Sequence, residues 1–503
     1  MEWTAQQKDI FEWFRSGTGN LVVRARAGTG KTTTIVRSLN YAPEDDILLA
    51  AFNKKIAKEL GSKVQKVGGR ADVKTLHGVG FQIVLRYWTN CQVDDGRGYD
   101  LAKEVTGDQA PDDMIRKVQK LAGLAKGMVV CFDANNPATA DEVALIARAF
   151  DCEPDAQWQS DGWTTGKVAS LAVKAMERAR QREKVCRIDF DDMLFLPIAN
   201  DWAKPRYQLI AVDEAQDMSR TQLELAQRVL LPSGRMAVVG DDRQAIYGFR
   251  GADSGALDRL KAELSAVEMG LTRTYRCGKV IVEYAKRIVP DFEAAPTNHE
   301  GSIESLRSDL LVETAAVGDF ILSRRNAPLV PICLRLLRAD KRARIEGKDV
   351  AAGLKSIAKR WKPKSIGALQ DNISKWRDRE TAKLRLEKTP EAQDKMEAVN
   401  DQADILLAIC DGLTNPAELL TRLDTLFADS DDDRRPAVVC SSIHKAKGLE
   451  AKRVFVLRGT LHPRRKTDGV APQTIAKRGV EESNLEYVAV TRAIDKLVWV
   501  DDD

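Results

Sequence analysis

No apolar run in this 503-residue sequence approaches the ~20 residues that a bilayer-spanning helix needs. Cysteine is sparse, and none of the eight (Cys91, Cys131, Cys152, Cys186, Cys277, Cys333, Cys410, Cys440) sits in a CxxC pair. That scatter argues against a disulfide framework, a zinc ribbon and an iron–sulfur cluster. An excess of one charge is also missing: 78 Lys and Arg face 74 Asp and Glu, a net of +4. A histone-like electrostatic blanket is thereby excluded, and any nucleic-acid surface must be a local groove. The first residues, MEWTAQQKDIFEWF, carry acids and amides where a signal peptide has an apolar core. The chain reads as a soluble protein of a reducing compartment.

With 44% hydrophobic residues there is core material for three to four domains at roughly 150 residues each. Short apolar runs at 21–23, 47–51, 209–212 and 236–239 suit strands buried on both faces of a parallel sheet. Helical patterns follow them, as at 33–39 and 221–230, so a doubly wound α/β domain is expected. A second set of runs at 320–322, 437–440, 454–457 and 497–500 predicts a second such sheet. Between the sets, residues 89–188 are mostly helical in pattern, broken at Pro111, Asn135-Asn136-Pro137 and Pro154. Residues 346–433 are also helical in pattern, and the charge there is segregated. From 341 to 388 there are 15 Lys and Arg against 6 Asp and Glu; from 389 to 433 there are 2 against 12.

The strongest motif is ARAGTGKT (25–32), which follows a strand-like run and opens a helix-like one. Small residues there let backbone N–H groups close around phosphate oxygens, and the helix N-terminus adds partial positive charge. Lys31 would reach the β- and γ-phosphates and the Thr32 hydroxyl would ligate Mg²⁺. At the end of the run LIAV stands DEAQD (213–217). Asp213 is placed for a second Mg²⁺ anchor and Glu214 for orienting and deprotonating a water.

These two boxes, with VGDDRQAIYGFRGA (239–252), LTRTYR (271–276), SIHKAKGLE (442–450) and EESNLEYVAVTRA (481–493), resemble the UvrD/Rep/PcrA helicases of superfamily 1 in kind and order. Thr4-Ala5-Gln6-Gln7 is similar to that family's N-terminal glutamine motif.

The resemblance implies an α/β fold of two RecA-like P-loop domains with parallel sheets plus two mainly helical inserted subdomains. The first RecA-like domain would take 1–88 and 189–270, and the second 271–345 and 434–503. Residues 89–188 and 346–433 would be the insertions, the latter a reduced second accessory domain.

It also implies roles. ATP would be held by Gln7 on the adenine edge, by the loop Ala25, Arg26, Ala27, Gly28, Thr29, Gly30, Lys31, Thr32 and Thr33, by Tyr275 stacking on the base and by Glu450 on the ribose. Gln244 would sense the γ-phosphate, and Arg276 and Arg492 would act as arginine fingers. Phe52, Thr75, His77, Tyr247, Phe249, Arg250 and His444 would contact single-stranded DNA.

The expected function is an ATP- and Mg²⁺-dependent DNA translocase and helicase running 3′ to 5′, in replication, repair or recombination. Its partners would be single strands and duplex junctions, with no membrane; the place would be the cytoplasm, at the nucleoid for a bacterial or phage protein, with the nucleus left open. The alternative is a DNA-stimulated ATPase serving as motor or switch subunit of a larger nuclease or phage-defence complex. Three further expectations concern side features. Asp189-Phe190-Asp191-Asp192 reads as structural rather than metal-binding. Trp361 and Trp376, set among basic residues, fit either nucleic-acid contact or a small core. Segment 346–433, which holds no box, reads as replaceable by a short linker, its basic half suited to duplex phosphates or a protein partner and its acidic half able to cover it.

Overall fold

The computed structural model describes residues 3–128, 138–150, 152–154, 156–246, 255–387, 390–427, 435–463 and 472–501. Two six-stranded sheets organise them, and every pairing within each sheet is parallel. The first contains β1 (Leu21–Ala25), β2 (Ile47–Ala51), β3 (Asp72–Thr75), β4 (Tyr207–Val212), β5 (Leu230–Gly240) and β6 (Val267–Leu271) in the order β3-β2-β4-β5-β1-β6. The second contains β7 (Ser302–Arg307), β8 (Phe320–Ser323), β9 (Ala343–Ile345), β10 (Val438–Ser442), β11 (Ala451–Leu457) and β12 (Ala493–Asp501) in the order β7-β12-β11-β8-β10-β9. Strands such as β2 and β10 are buried along their whole length, which is why they read as unbroken apolar runs.

The chain divides into two compact units, one on each sheet, and Arg26–Thr29 and the segment beginning at Arg243 go with the second. In the first unit, five helices from Arg97–Thr106 to Thr165–Ala179 form their own apolar cluster, which also takes in Val84, Trp88, Phe195 and Leu196 of the flanking helices. The strand pair Gln92–Val93 and Arg187–Ile188 closes the base of this insertion. Beside that pair, Cys91 and Cys186 are joined by a disulfide across 95 residues. The scattered cysteines gave no sign of this pair. Spacing along the sequence hid a pair that only the strand register brings together.

In the second unit, four helices from Lys348–Ala358 to Glu418–Leu426 follow β9. Their Leu369, Ile373, Trp376, Leu406, Ile409 and Leu423 share one core with Ile345, Val438, Cys440 and Phe455 of the sheet. A short linker in place of 346–433 would therefore uncover a sheet face, contrary to the expectation that the segment is dispensable. Trp376 is only 7% exposed, which settles it as core. Among the described residues no helix is long and apolar enough to cross a membrane.

Candidate functional site

At the end of β1 the chain turns through Gly28 (φ 68°) and Gly30 (φ 80°), a left-handed backbone that favours glycine. Helix Lys31–Ser38 starts immediately after, so its free N–H groups face the loop. Lys31 Nζ meets Glu214 Oε1 at 2.9 Å, and the Thr32 hydroxyl donates to Asp213 Oδ2 at 3.1 Å. Phosphate loop and acidic box, 181 residues apart in the second pair, thus meet where β1 and β4 end. Burial works against the charge of Lys31, but the carboxylates of Glu214, Asp213 and Asp241 outweigh it and raise its pKa. Burial, then the repulsion of Glu214, raises that of Asp213 against the pull of Lys31 and Thr32.

Glu214 holds a left-handed backbone (φ 56°), costly for a residue with a side chain and most often retained at a functional turn. Its Oε2 accepts from Gln216 Nε2 at 2.6 Å, and Gln216 Oε1 accepts the Asp241 amide at 3.1 Å. One glutamine so couples the DEAQD box to the GDD box. Gln7 is buried in the first turn of helix Ala5–Ser16, in a capping box with Thr4, and its Nε2 donates to Thr34 Oγ1 at 3.1 Å. That contact fixes Gln7 over the first turn of the phosphate-loop helix.

In the second unit Arg26 forks onto Asp291, with Nη2 to Oδ2 at 2.9 Å. The Ala27 amide donates to the Tyr487 hydroxyl at 3.0 Å, and the Tyr275 amide donates to the Gly28 carbonyl at 3.0 Å. A Cβ on Gly28 would lie 2.5 Å from Thr274 Oγ1, so close approach as well as φ requires glycine there. Arg276 Nε pairs with Glu450 Oε2 at 2.5 Å. Arg492 is 1% exposed and donates to the carbonyls of Val488 (3.0 Å) and Leu449 (3.1 Å) and to Gln244 Oε1 (3.5 Å). Burial, helped by Arg276, lowers its pKa to about 10, leaving it charged at neutral pH. The structure so gathers Arg276, Arg492, Gln244 and Glu450. The Tyr275 ring is 43% exposed.

Of the strand-contact candidates, Phe52 follows β2 and is 36% exposed rather than a core residue. Thr75 caps helix Leu76–Tyr87, its Oγ1 accepting the Gly78 amide at 3.0 Å. His77 stacks on Phe190 at 4.0 Å between ring centroids. Burial drops the His77 pKa to about 4, and burial with the repulsion of Arg324 drops that of His444 to about 3. Tyr247, Phe249 and Arg250 lie outside the described residues.

Sequence reasoning missed two features. Arg24, set inside the apolar strand β1, is gripped by Asp242 (3.0 Å), Glu268 (2.9 Å) and Asp258 (2.5 Å). A cation in a core strand, LVVRA, was the available signal. Phe190 is 50% exposed, so the acidic-aromatic stretch presents a ring to solvent. Two of its acids are held in structural ion pairs: buried Arg97 meets Asp192 at 2.6 Å, and buried Lys126 meets Asp189 and Asp192 at 2.7 Å each.

The UvrD/REP helicase N-terminal domain model matches residues 3–265, more than half of the chain, and the UvrD-like helicase C-terminal domain model matches 344–500. The chain belongs to the UvrD/REP helicase family. F-box DNA helicase protein 1 of Schizosaccharomyces pombe is 24% identical over 99% of this chain and 57% of its own length. ATP-dependent DNA helicase Rep of Escherichia coli is 26% identical over 54% of this chain and 41% of its own. ATP-dependent DNA helicase PcrA of Staphylococcus aureus is 24% identical over 55% and 39%. This UvrD/REP family chain spans about half the length of the curated relatives it matches.

Proposed function

We propose that the chain is an ATP-dependent DNA translocase and helicase that moves 3′ to 5′ on single strands and separates duplexes in replication, repair or recombination. The observation that carries this reading is the meeting of Lys31 with Glu214 and of Thr32 with Asp213, in a chain of the UvrD/REP family. The Thr32 hydroxyl and the Asp213 carboxylate are hard oxygen donors and fit Mg²⁺. That ion, when bound, neutralises charge on the phosphate oxygens of ATP. Lys31 leaves Glu214 to balance the phosphates, which frees the carboxylate to take the proton of the attacking water. Arg276 and Arg492 supply fixed cations to the transferred phosphoryl, worth about 10³ to 10⁵ in rate. Phe52, His77 with Phe190, and His444 contact the strand; stacking on bases needs no particular sequence.

The test is ATP hydrolysis with and without single-stranded DNA, followed by displacement on duplexes with opposite tails. Stimulated hydrolysis with displacement on the 3′-tailed duplex alone supports the reading. Stimulation with no displacement on either tail would make the chain a motor subunit instead.

A further inference from the structure

We propose that Arg24 is a positioning residue for ATP hydrolysis, seating Asp242 and with it the turn that carries Gln244, an inference that rests on the helicase reading. In that reading Gln244 meets the γ-phosphate. Arg24 stands next to last in β1 and directly precedes the phosphate loop. The sheet builds a seat for it. Its register partners are Gly240 on β5 and Gly270 on β6. Residues in register project to the same face, so neither flanking strand places a side chain directly opposite Arg24.

Into that space the guanidinium directs each nitrogen at a different carboxylate. Nη1 meets Asp242 Oδ1 at 3.0 Å, Nε meets Glu268 Oε1 at 2.9 Å, and Nη2 meets Asp258 Oδ1 at 2.5 Å. Burying this charge is a poor route to stability, because an apolar side chain in an interior strand serves the core at least as well. What directed ion pairs supply is position. Asp258 belongs to helix Ala256–Glu263 and Glu268 to β6, but Asp242 opens the short helical turn Asp242–Gln244.

The start of that turn is held by two boxes at once. Gln216 of the acidic box accepts the Asp241 amide at 3.1 Å, and Arg24, from the strand that ends in the phosphate loop, holds the carboxylate of the next residue. Gln244 closes the same turn. Displacing a reacting geometry by about 1 Å can cost 10²-fold in rate, so a loosened Asp242 should be felt in turnover.

The experiment uses the full chain with Arg24→Met, Arg24→Lys and Asp242→Asn, and with Asp258→Asn and Glu268→Gln, which remove the other two carboxylates. In oligo-dT-stimulated hydrolysis, kcat should fall about ten-fold or more in Arg24→Met and Asp242→Asn, with KM for ATP within about three-fold of the parent. Arg24→Lys should recover part of the rate, having the charge without the fork. Arg24→Met with Asp242→Asn should be no slower than the slower single, since both break one contact. Asp258→Asn and Glu268→Gln should keep kcat within about two-fold, whatever they cost in unfolding temperature. Parental kcat in Arg24→Met overturns the proposal, and so does an equal loss in all three carboxylate variants, which would make Arg24 a fastening of the sheet and no more. Should Arg24→Met fail to fold, the contrast of Asp242→Asn with Glu268→Gln decides. Amide hydrogen exchange of a peptide spanning 241–244 should quicken in Asp242→Asn and not in Glu268→Gln; equal exchange in the two removes the seat. That readout needs no turnover, so a parent chain that hydrolyses no ATP would sink the helicase reading and leave the seat tested.

Discussion

Lys31 and Glu214 hold each other at 2.9 Å, so the cation proposed for the phosphates and the base proposed for the water are mutually engaged. Under those proposed roles, such a pair would keep the base from acting until nucleotide draws the lysine away. Replacing either partner should have distinguishable effects. Lys31→Ala should weaken nucleotide binding and turnover together. Glu214→Gln should keep binding, measured with a fluorescent ATP analogue, while phosphate release falls by about 10² to 10⁴. Near-parental release by Glu214→Gln would remove it from the role of base.

Strand binding should fall with salt at about −0.7 per neutralised phosphate on a log–log plot and show little sequence preference. Phe52→Ala and Phe190→Ala should each weaken oligo-dT binding by roughly 1 to 3 kcal/mol if their rings stack on bases. Parental affinity in both, measured by anisotropy, would place the stacking track elsewhere.

The buried pair of Arg97 and Asp192 predicts a large stability effect far from the chemistry. Arg97→Met leaves a buried carboxylate with one cation fewer, at a cost of about 3 to 5 kcal/mol. Asp192→Leu in the same chain should recover much of that loss, because it removes the orphaned charge. Thermal unfolding of the single and double variants checks it; equal loss in both would mean packing, not charge, is at stake.

Both half-buried histidines predict an acid limit. His77 and His444 have native pKa values of about 4 and 3, below the ordinary value of 6.5. Between those values and 6.5 the unfolded chain binds protons that the native chain does not, so stability rises with pH there. Acidification from pH 6.5 towards 4 should lower the unfolding temperature, and His444→Gln should flatten that slope. An unaltered slope in His444→Gln would show that the ring titrates normally.

For Cys91 and Cys186, reductant should lower the unfolding temperature of the parent chain and leave that of the Cys91→Ser, Cys186→Ser variant unchanged. The bridge closes 95 residues, for which chain entropy gives roughly 5 kcal/mol at most. The neighbouring strand pair already restrains the same ends, so a smaller loss is expected. No reductant-dependent shift, with free thiols at both positions by mass spectrometry, would mean the bridge does not form in solution.

The eight apolar runs read as strands are the eight interior strands of the two sheets. The four strands not seen, β3, β6, β7 and β9, are the four edges. Edge strands have one neighbour and a wet side, so DVKT and SIESLR carry polar residues at positions an interior strand fills with Val or Leu. Site residues were legible where chemistry fixes both type and spacing, as in the loop 25–32 and in Asp213 and Glu214. Arg24, Gln216 and the Asp291 partner of Arg26 were not legible. Each acts through a partner distant in sequence; the local marks were slight, a cation inside the apolar run LVVRA for Arg24 and a place in the DEAQD box for Gln216. Segment 346–433 misled for a related reason. An absence of motifs says nothing about which side chains complete a neighbour's core.

The place of β1 in its sheet has a consequence for how the protein is made. Both neighbours of Leu21–Ala25, β5 and β6, begin at Leu230 or later, more than 200 residues downstream. At about 5 to 20 residues per second, the ribosome needs roughly 10 to 40 s to supply them. Throughout that interval the strand that ends in the phosphate loop has no partner to hydrogen-bond. The apolar run Leu-Val-Val is then available to other chains, a hazard that chaperones commonly cover. The nucleotide loop is thus among the earliest segments synthesised and the latest to acquire its shape.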